Sequence, residues 1–174
     1  GIGFNIDAEE ADRLELSMDV IGALLADPAL ADWDGLGVVV QAYSRRALPV
    51  INWLLAVTEL NQRKIMVRLV KGAYWDTEIK QAQELGLASF PVFTRKMNTD
   101  VSYLACAQVL LANRHLVYPQ FATHNAHSVS AIRHMAGSDT QSYEFQRLHG
   151  MGESLHERVH QQYQTRCRIY APVG

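Results

Sequence analysis

Ile65-Met66-Val67-Arg68-Leu69-Val70-Lys71-Gly72-Ala73-Tyr74-Trp75 is the stretch of sequence that decides the fold of this chain. Its apolar run of β-branched and long aliphatic side chains predicts a buried strand that ends at Gly72, before two aromatic residues. Arg68 and Lys71 lie in this run, and a buried cation needs a partner in the core or a path to the rim. Alternatively, the two cations and the glycine form part of a binding site for a flat, partly anionic molecule. The stretch alone leaves both interpretations open.

The composition is that of one ordinary globular domain. The chain has 174 residues, of which 48% are hydrophobic and 20% are charged. Its 16 basic and 18 acidic residues give a net charge of -2, so the charge provides no argument for nucleic acid or an anionic membrane surface as a partner. We expect one hydrophobic core and no nucleic-acid binding by this segment.

The cysteines and the chain start indicate the cellular context. Cys106 and Cys167 cannot form a disulfide framework and lack metal-binding spacing. We expect both to be small buried side chains in a reducing compartment, so the predicted localisation is cytoplasmic. The apolar run at residues 48–57 is far shorter than the roughly 20 residues that a membrane-spanning helix needs. An opening without Met, directly on a strand-like run, suggests a piece of a longer polypeptide.

Apolar runs alternate with amphipathic segments along the whole chain. The runs predict strands at residues 2–6, 36–43, 65–71, 117–122, 142–146 and 167–171. The segments between them predict helices at about residues 14–25, 47–59, 76–85, 99–111, 128–135 and 152–162. Thr99 and Asp100 are predicted to cap the fourth helix, after a loop over residues 86–98.

This alternation predicts βαβ units and a parallel sheet, as in a (β/α)8 barrel or a doubly wound fold. A dinucleotide-binding doubly wound fold is disfavoured because no Gly-x-Gly-x-x-Gly motif follows the first strand. Polar or aromatic side chains recur at or near the carboxyl ends of the predicted strands, the face that carries the chemistry of barrel enzymes. The side chains concerned are Asp7, Gln41, Arg68, Lys71, Thr123, His124, Gln146 and Tyr170.

One motif favours a different function. His156-Glu157-Arg158-Val159-His160 matches the zinc-peptidase pattern His-Glu-x-x-His on a predicted helix. A zinc site needs a third ligand, and residues 161–174 contain no Asp, Glu or His. Leu155 and Tyr163 lie on the predicted inward face, so we expect both histidines on a solvated flank. A zinc-dependent hydrolase is nevertheless the alternative function.

The remaining candidate groups do not form a nucleophilic site. His124 and His127 have no cysteine or carboxylate at matching spacing, so a hydrogen-bonding cluster with Thr123 and Asn125 competes with a structural histidine. Asp7 could cap the helix that follows it or contact a ligand. No Gly-x-Ser-x-Gly motif occurs. Strand ends with cations, amides and aromatic rings but no nucleophile are typical of sites where a cofactor does the chemistry.

Several long motifs then identify a resemblance. They are residues 67–76 (VRLVKGAYWD), 93–96 (FTRK), 103–106 (YLAC), 121–127 (FATHNAH), 143–153 (YEFQRLHGMGE) and 167–174 (CRIYAPVG). Together they resemble the proline dehydrogenase domain of the bacterial proline utilization A proteins. The resemblance implies a distorted (β/α)8 barrel that binds FAD, oxidises L-proline to Δ1-pyrroline-5-carboxylate and passes electrons to a membrane quinone. It also allows peripheral membrane association of the parent protein.

The resemblance assigns roles to individual residues of this sequence. It implies contacts with FAD, including its phosphates and ribose, from Gln41, Arg68, Val70, Lys71, Gly72, Trp75, Thr94, Arg95, Lys96, Thr123, His124 and Asn125. It implies a proline pocket formed by Asp7, Tyr74, Leu148 and Tyr170, and a catalytic group of Arg68, Tyr74 and Tyr170. No metal site is implied.

The sequence departs from the family pattern in what lies outside it. The family holds the substrate carboxylate with an Arg-Arg-x-x-Glu motif on the last barrel helix, which would follow Gly174, and a further lysine would precede Gly1. We therefore expect residues 1–174 to be a partial proline dehydrogenase barrel domain with about six strand–helix units and no final helix. Such a segment is expected to have impaired activity and to self-associate through unpaired strand edges. A non-catalytic fragment is the further alternative.

Overall fold

The computed structural model describes residues 2–171 and contains one parallel sheet of six strands. The strands are β1 Phe4–Ile6, β2 Leu36–Gln41, β3 Ile65–Val70, β4 Val117–Ala122, β5 Glu144–Leu148 and β6 Arg166–Tyr170. The helices are α1 Leu14–Ala26, α2 Ala47–Leu60, α3 Trp75–Glu84, α4 Lys96–Ala112, α5 Ala126–Ala136 and α6 Glu153–Tyr163. Short 3-10 helices at Ala11–Arg13 and Pro28–Leu30 flank α1.

The strand order decides between the two candidate architectures. Every strand pairs with the next strand along the chain, so that Arg68 in β3 lies opposite Val39 on one side and Gln120 on the other. A doubly wound sheet reverses its order at a switch point, whereas a barrel keeps the sequential order. The sheet is a curled part of a (β/α)8 barrel, and the predicted incomplete barrel is confirmed.

Strand β3 shows how the alternating sequence sorts side chains between the two faces of the sheet. Ile65, Val67 and Leu69 are at most 1% exposed and belong to the core cluster shared with α2 and α4. Full burial of such a side chain contributes about 1.5–3 kcal/mol. The alternate positions, including Arg68, are half-buried and face the barrel interior. One face of β3 therefore stabilises the fold while the other carries Arg68.

Several predicted element boundaries are wrong by two or three residues: β1 begins at Phe4, β2 ends at Gln41, α5 begins at Ala126 and β5 ends at Leu148. Helix α4 begins at Lys96, not after a loop to residue 98, because Thr99 packs on the buried side of the helix at 8% exposure and this packing outweighs its capping preference. Strand β5 begins at Glu144, two residues later than predicted. Ser142 instead belongs to a turn, where its backbone N–H donates to Asp139 Oδ1 at 3.1 Å.

The two edges of the sheet are more exposed than its centre. Phe4 in β1 is 61% exposed, and Ile169 in β6 is 52% exposed. Both strands pair on one side only within the described sheet, so each presents a row of backbone groups along its free side. Within residues 2–171, no helix has the length and apolar character needed to span a membrane.

Candidate active site

A cavity of about 670 Å³ lies at the carboxyl ends of the strands. Its walls include 13 of the 16 residues for which the family resemblance implied a cofactor, substrate or catalytic role. These are Asp7, Gln41, Arg68, Val70, Lys71, Gly72, Tyr74, Lys96, Thr123, His124, Asn125, Leu148 and Tyr170. The parallel sheet brings them together because the carboxyl ends of all its strands meet at one edge.

Arg68 lies on the inner face of the barrel and is held from two sides. Its Nη1 is 3.2 Å from Asp7 Oδ1, and its guanidinium carbon lies 5.3 Å from the centre of the Tyr170 ring. The Arg68 side chain is only 14% exposed, while its Nε is buried and lacks a hydrogen-bond partner within the described residues. The site therefore contains a fixed cation with one unsatisfied donor.

Lys71 and Lys96 form a second cationic group around one carboxylate. Lys71 Nζ donates to Asp100 Oδ1 at 2.5 Å, and Lys96 Nζ donates to Asp100 Oδ2 at 2.7 Å. These two hydrogen bonds lower the pKa of Asp100. An ammonium group has three donors, so each lysine retains donors beyond the one that Asp100 accepts. Two cations around one carboxylate leave a net positive charge, which suits an anionic ligand.

Gly72 allows the backbone at the end of β3 to approach Tyr43 closely. Its φ is +130°, and a Cβ at this position would lie 2.5 Å from the Tyr43 ring. Tyr43 itself is 4% exposed, and burial, with a contribution from Glu78, raises its pKa to about 12. The ring therefore stays neutral, and only glycine fits against it.

Gln41 joins the two loops that carry cavity residues. Its Nε2 donates to the Glu9 carbonyl at 2.9 Å, and its Oε1 accepts from the Ala73 backbone N–H at 3.3 Å. The amide thus ties the loop after β1 to the loop after β3. Its predicted contact with a flavin edge stays a prediction.

His124, which follows β4, holds the end of β5 in place through a hydrogen bond. Its Nε2 accepts a hydrogen bond from the Leu148 backbone N–H at 3.1 Å, so in this arrangement that nitrogen carries no proton. Asn125 caps α5 through its Oδ1, which accepts from the Ser128 backbone N–H at 3.0 Å. Thr123 Oγ1 accepts from the Asn125 backbone N–H at 3.1 Å. These hydrogen bonds order three cavity-lining positions along one wall.

His156 has a structural position that the sequence did not predict. The expectation of a solvated flank is wrong for His156, which is 2% exposed and whose Nε2 donates to the Thr123 carbonyl oxygen at 2.8 Å. It is confirmed for His160, which is exposed. Burial lowers the pKa of His156. His160 Nδ1 lies 3.1 Å from a different carbonyl, that of Thr165.

The zinc alternative receives no support from these positions. Within residues 2–171, no group of three or more His, Cys, Asp or Glu side chains could hold a metal ion. His156 Nε2 hydrogen-bonds to the carbonyl of Thr123, directly after β4, and His160 Nδ1 to the carbonyl of Thr165, directly before β6.

Three predicted cofactor contacts do not line the cavity. Trp75 begins α3, is 41% exposed, and its Nε1 donates to the Phe93 carbonyl at 2.9 Å. Thr94 and Arg95 are exposed in the loop before α4. The loop lies beside the Lys96 end of the cavity, so their assignment to a ribose and phosphates stays a prediction.

A polar network beneath the cavity was not predicted from the sequence. Glu144, which is 4% exposed, accepts hydrogen bonds from Gln120, Gln146 and Arg168. The signal was present in β5, where Glu144, Gln146 and Leu148 alternate on one face. A carboxylate in a strand is visible in a sequence, but its three partners come from three different strands.

The comparisons with known proteins agree with the geometry. The family described as proline dehydrogenase matches residues 1–174. The bifunctional protein PutA of Salmonella typhimurium is 57% identical over 180 residues, and PutA of Rhizobium meliloti is 57% identical over 177 residues. Each alignment covers 99% of this chain and 14% of the relative, so the chain spans about a seventh of the length of the curated relatives it matches.

Solved structures show the same fold. A crystal structure of PutA from Bradyrhizobium japonicum has a TM-score of 0.96 and 58% identity over 99% of this chain and 18% of that one. PutA from Bdellovibrio bacteriovorus, inactivated by N-propargylglycine, has a TM-score of 0.95 and 34% identity over 100% of this chain and 18% of that one. A match along the whole chain confirms the predicted resemblance: the chain belongs to the proline dehydrogenase family.

Proposed function

We propose that this chain forms the cofactor-binding part of an FAD-dependent proline dehydrogenase that oxidises L-proline to Δ1-pyrroline-5-carboxylate and delivers the electrons to a quinone. The observation that carries the proposal is the cavity, in which cations, amides and aromatic rings from five neighbouring strand ends face one space. Family membership supports the same activity.

The residues present fit a flavin dinucleotide. Its diphosphate needs cations, and Lys71 and Lys96 together exceed the charge of Asp100. A flat ring system needs close backbone approach and a polar edge, for which Gly72 and the unsatisfied Nε of Arg68 are suited. We propose that Val70, Lys71 and Gly72 contact the ring, with Thr123, His124 and Asn125 on the opposite wall.

FAD, when bound, supplies the oxidising power by accepting two electrons from the substrate. The chain supplies binding and electrostatics. Arg68, oriented by Asp7 at 3.2 Å, places a fixed positive charge where negative charge develops. Tyr170 stacks on that guanidinium, and with Tyr74 it forms an aromatic wall of the cavity.

On the substrate side, we propose that proline lies against Asp7, Tyr74, Leu148 and Tyr170. Leu148 is positioned through its backbone bond to His124, and its apolar side chain suits the methylene groups of a pyrrolidine ring. Tyr74 and Tyr170 are 37% and 41% exposed, so in the isolated chain this wall stands open to water. We therefore propose that residues 1–174 alone turn over proline slowly, and that their free sheet edges promote self-association.

The test uses a hybrid PutA, in which residues 1–174 replace the matching segment of the Salmonella typhimurium protein. We expect the purified hybrid to be yellow, with flavin absorbance bands, and to reduce an artificial quinone in a proline-dependent reaction. The isolated 174-residue chain serves as the comparison and should be far less active. A hybrid that folds but binds no FAD would refute the proposal, and isolated-chain activity equal to that of the hybrid would refute the slow-turnover part.

Quinone delivery is tested separately from cofactor binding. If the hybrid reduces an artificial dye but not a soluble quinone in the presence of proline, the dehydrogenase proposal stands and the quinone proposal fails. Binding of the hybrid to lipid vesicles, measured by sedimentation with and without proline, tests the proposed peripheral membrane association of the parent protein. The predicted cytoplasmic location is tested by fractionating cells that produce the hybrid.

A further inference from the structure

A buried carboxylate lies in the barrel interior one layer below the cavity. Glu144 in β5 is 4% exposed, and it precedes the cavity-lining Gln146 by two residues, so the two side chains share the inner face. Register pairs Glu144 with Gln120 of β4 and Gln146 with Arg168 of β6. The carboxylate therefore sits among side chains from both neighbouring strands.

Four hydrogen bonds converge on this carboxylate. Glu144 Oε1 accepts from Gln120 Nε2 at 3.0 Å, from Gln146 Nε2 at 2.8 Å and from Arg168 Nε at 2.7 Å. Glu144 Oε2 accepts from a second nitrogen of Arg168, Nη2, at 3.1 Å. A two-point contact with a guanidinium fixes both its distance and its plane, and the pKa of Arg168 is raised by this hydrogen bonding.

This arrangement determines how Gln146 faces the cavity. Because Gln146 Nε2 donates to a carboxylate, its carbonyl oxygen must lie away from Glu144, since a flipped amide would place two acceptors against each other. Gln120 Oε1 is buried without a hydrogen-bond partner within the described residues, so the carboxylate of Glu144 is the group that holds both amides of this network in place. Glu144 thus selects one orientation of an amide that lines the cavity wall.

The same carboxylate balances charge beneath the cavity. Arg68 is paired with Asp7 at the cavity level, Arg168 is paired with Glu144 one layer below, and Arg147, which also lines the cavity, is paired with Glu153 at 3.4 Å. Glu144 is the buried member among these three acids, and its field is therefore the least screened by water.

We infer that Glu144 is a positioning residue, which orients Gln146 and Arg168 and whose charge sets the electrostatic potential of the flavin site. This inference rests on the proposed function. A flavin becomes more electron-rich on reduction, so removing a nearby negative charge favours the reduced form and removing a nearby positive charge disfavours it.

The experiment measures the midpoint potential of the bound flavin in the hybrid PutA and in three variants. Glu144→Gln should raise the potential, and Arg168→Gln should lower it. Each should change the protein's affinity for reduced flavin, relative to its affinity for oxidised flavin, by about tenfold. For a two-electron couple this corresponds to about 30 mV. The double variant, which removes both charges, should return the potential to near the wild-type value.

Glu78→Gln is the matched control. Glu78 is equally buried at 3% exposure but lies on α3, where its Oε1 accepts from the Ala11 backbone N–H at 2.6 Å. If Glu144 merely stabilised the fold, both carboxylate variants would lower the melting temperature and neither would change the potential. We expect a clearly larger potential shift from Glu144→Gln than from Glu78→Gln, since within the described residues the Glu78 carboxylate has no hydrogen bond to the cavity wall of the kind that Glu144 has with Gln146.

The outcomes separate this inference from the proposed function. A wild-type hybrid without flavin would overturn both. Flavin at wild-type occupancy with unchanged potentials in Glu144→Gln and Arg168→Gln would overturn the inference alone. If Glu144→Gln does not fold, the variant at the partly exposed Arg168, whose side chain is 59% accessible, decides by itself, because a potential that fails to fall contradicts the role of this ion pair.

Discussion

Asp100 and Asp139 lie at opposite ends of the barrel. Both pair with cationic side chains, but the two clusters differ in whether hydrogen-bond donors remain free for a ligand. Asp139, in the loop between α5 and β5, accepts from the Ser142 hydroxyl, from the backbone N–H groups of Gln141 and Ser142, and from Arg114. Asp100, at the cavity end, has two lysines that retain unused donors. The hydrogen bonds to Asp139 stabilise the loop between α5 and β5, whereas the two lysines at Asp100 leave an excess positive charge that a ligand can neutralise.

This difference agrees with the general organisation of (β/α)8 barrels. The amino-terminal ends of the strands contribute to stability, and the carboxyl-terminal ends carry the chemistry. Both clusters lower the pKa of their aspartate, so a lowered pKa alone does not distinguish a binding site from a structural one. The distinguishing property is whether the surrounding donors are saturated.

The largest expected effect concerns two glycines, one at each end. Gly72→Ala would force a Cβ against the Tyr43 ring at φ +130°, and strain plus overpacking should cost about 3 kcal/mol or more. Gly137→Ala, at φ +63° with open space around it, should cost only the strain, about 1–3 kcal/mol. Urea unfolding of both variants measures the difference, and equal losses would contradict the close packing at Gly72.

A smaller effect is expected from pH at the structural end. Burial would raise the pKa of Asp139, but hydrogen bonds from Ser142 and the backbone and the charge of Arg114 outweigh it and lower the pKa to about 2. Because the folded pKa is below the unfolded value of about 4, the stabilisation is complete above pH 4 and is lost as pH falls through 2. With partial exposure taken into account, we expect about 1–2 kcal/mol.

The measurement for Asp139 is the unfolding free energy between pH 5 and pH 2 in the wild type and in Asp139→Asn. The variant should be less stable above pH 4 and should lack this part of the acid-dependent loss. Parallel curves for the two proteins would show that Asp139 does not contribute in this window.

The next prediction compares the two clusters by removing one cation from each. Lys71→Met in the hybrid PutA should weaken FAD binding by roughly fivefold, about 1 kcal/mol, and change the unfolding free energy less than that. Arg114→Met should do the reverse, because Arg114 serves only the structural aspartate among its described contacts. Fluorescence titration of FAD and urea unfolding give both quantities. An equal fall in FAD affinity in both variants would contradict the proposed difference between the Asp100 and Asp139 clusters.

The smallest effect is expected at Lys96. Its side chain is 77% exposed, compared with 26% for Lys71, so water and salt screen its charge more strongly. Lys96→Met should therefore weaken FAD binding by a few tenths of a kcal/mol, an effect that disappears in high salt. A loss larger than that of Lys71→Met would reverse the proposed order of the two lysines.

Much of the fold was predictable, because local pattern and long-range packing agree in it. The apolar run Ile65–Val70 predicted a buried strand, and the structure buries Ile65, Val67 and Leu69 while leaving the alternate positions half-buried. Helix α4 was mispredicted at its start, since Thr99 is a good cap by type but is buried by packing. Such an override depends on contacts that a local sequence window does not contain.

The candidate site was predictable as a set of strand ends but not as a set of contacts. Polar residues at successive strand ends, and the family motifs, located most of the cavity wall. Gln41 hydrogen-bonds to Glu9 and Ala73, and His156 is buried against Thr123. These contacts link residues from different strand–helix units. Periodicity carries no information about such pairs.

The sequence by itself determined the order of strands and helices, the polar character of the strand ends, and the family, because these follow from local patterns and from long motifs. Only the tertiary structure decided that Asp7 pairs with Arg68, that Tyr43 packs against Gly72 and that Glu144 gathers donors from two neighbouring strands and its own. The physical reason is distance. Hydrogen bonds and charge pairs act over a few ångströms. Apart from Gln146, which lies two positions from Glu144, the partners lie 24 to 61 positions apart in the chain, and only the closing of the sheet brings them within that range.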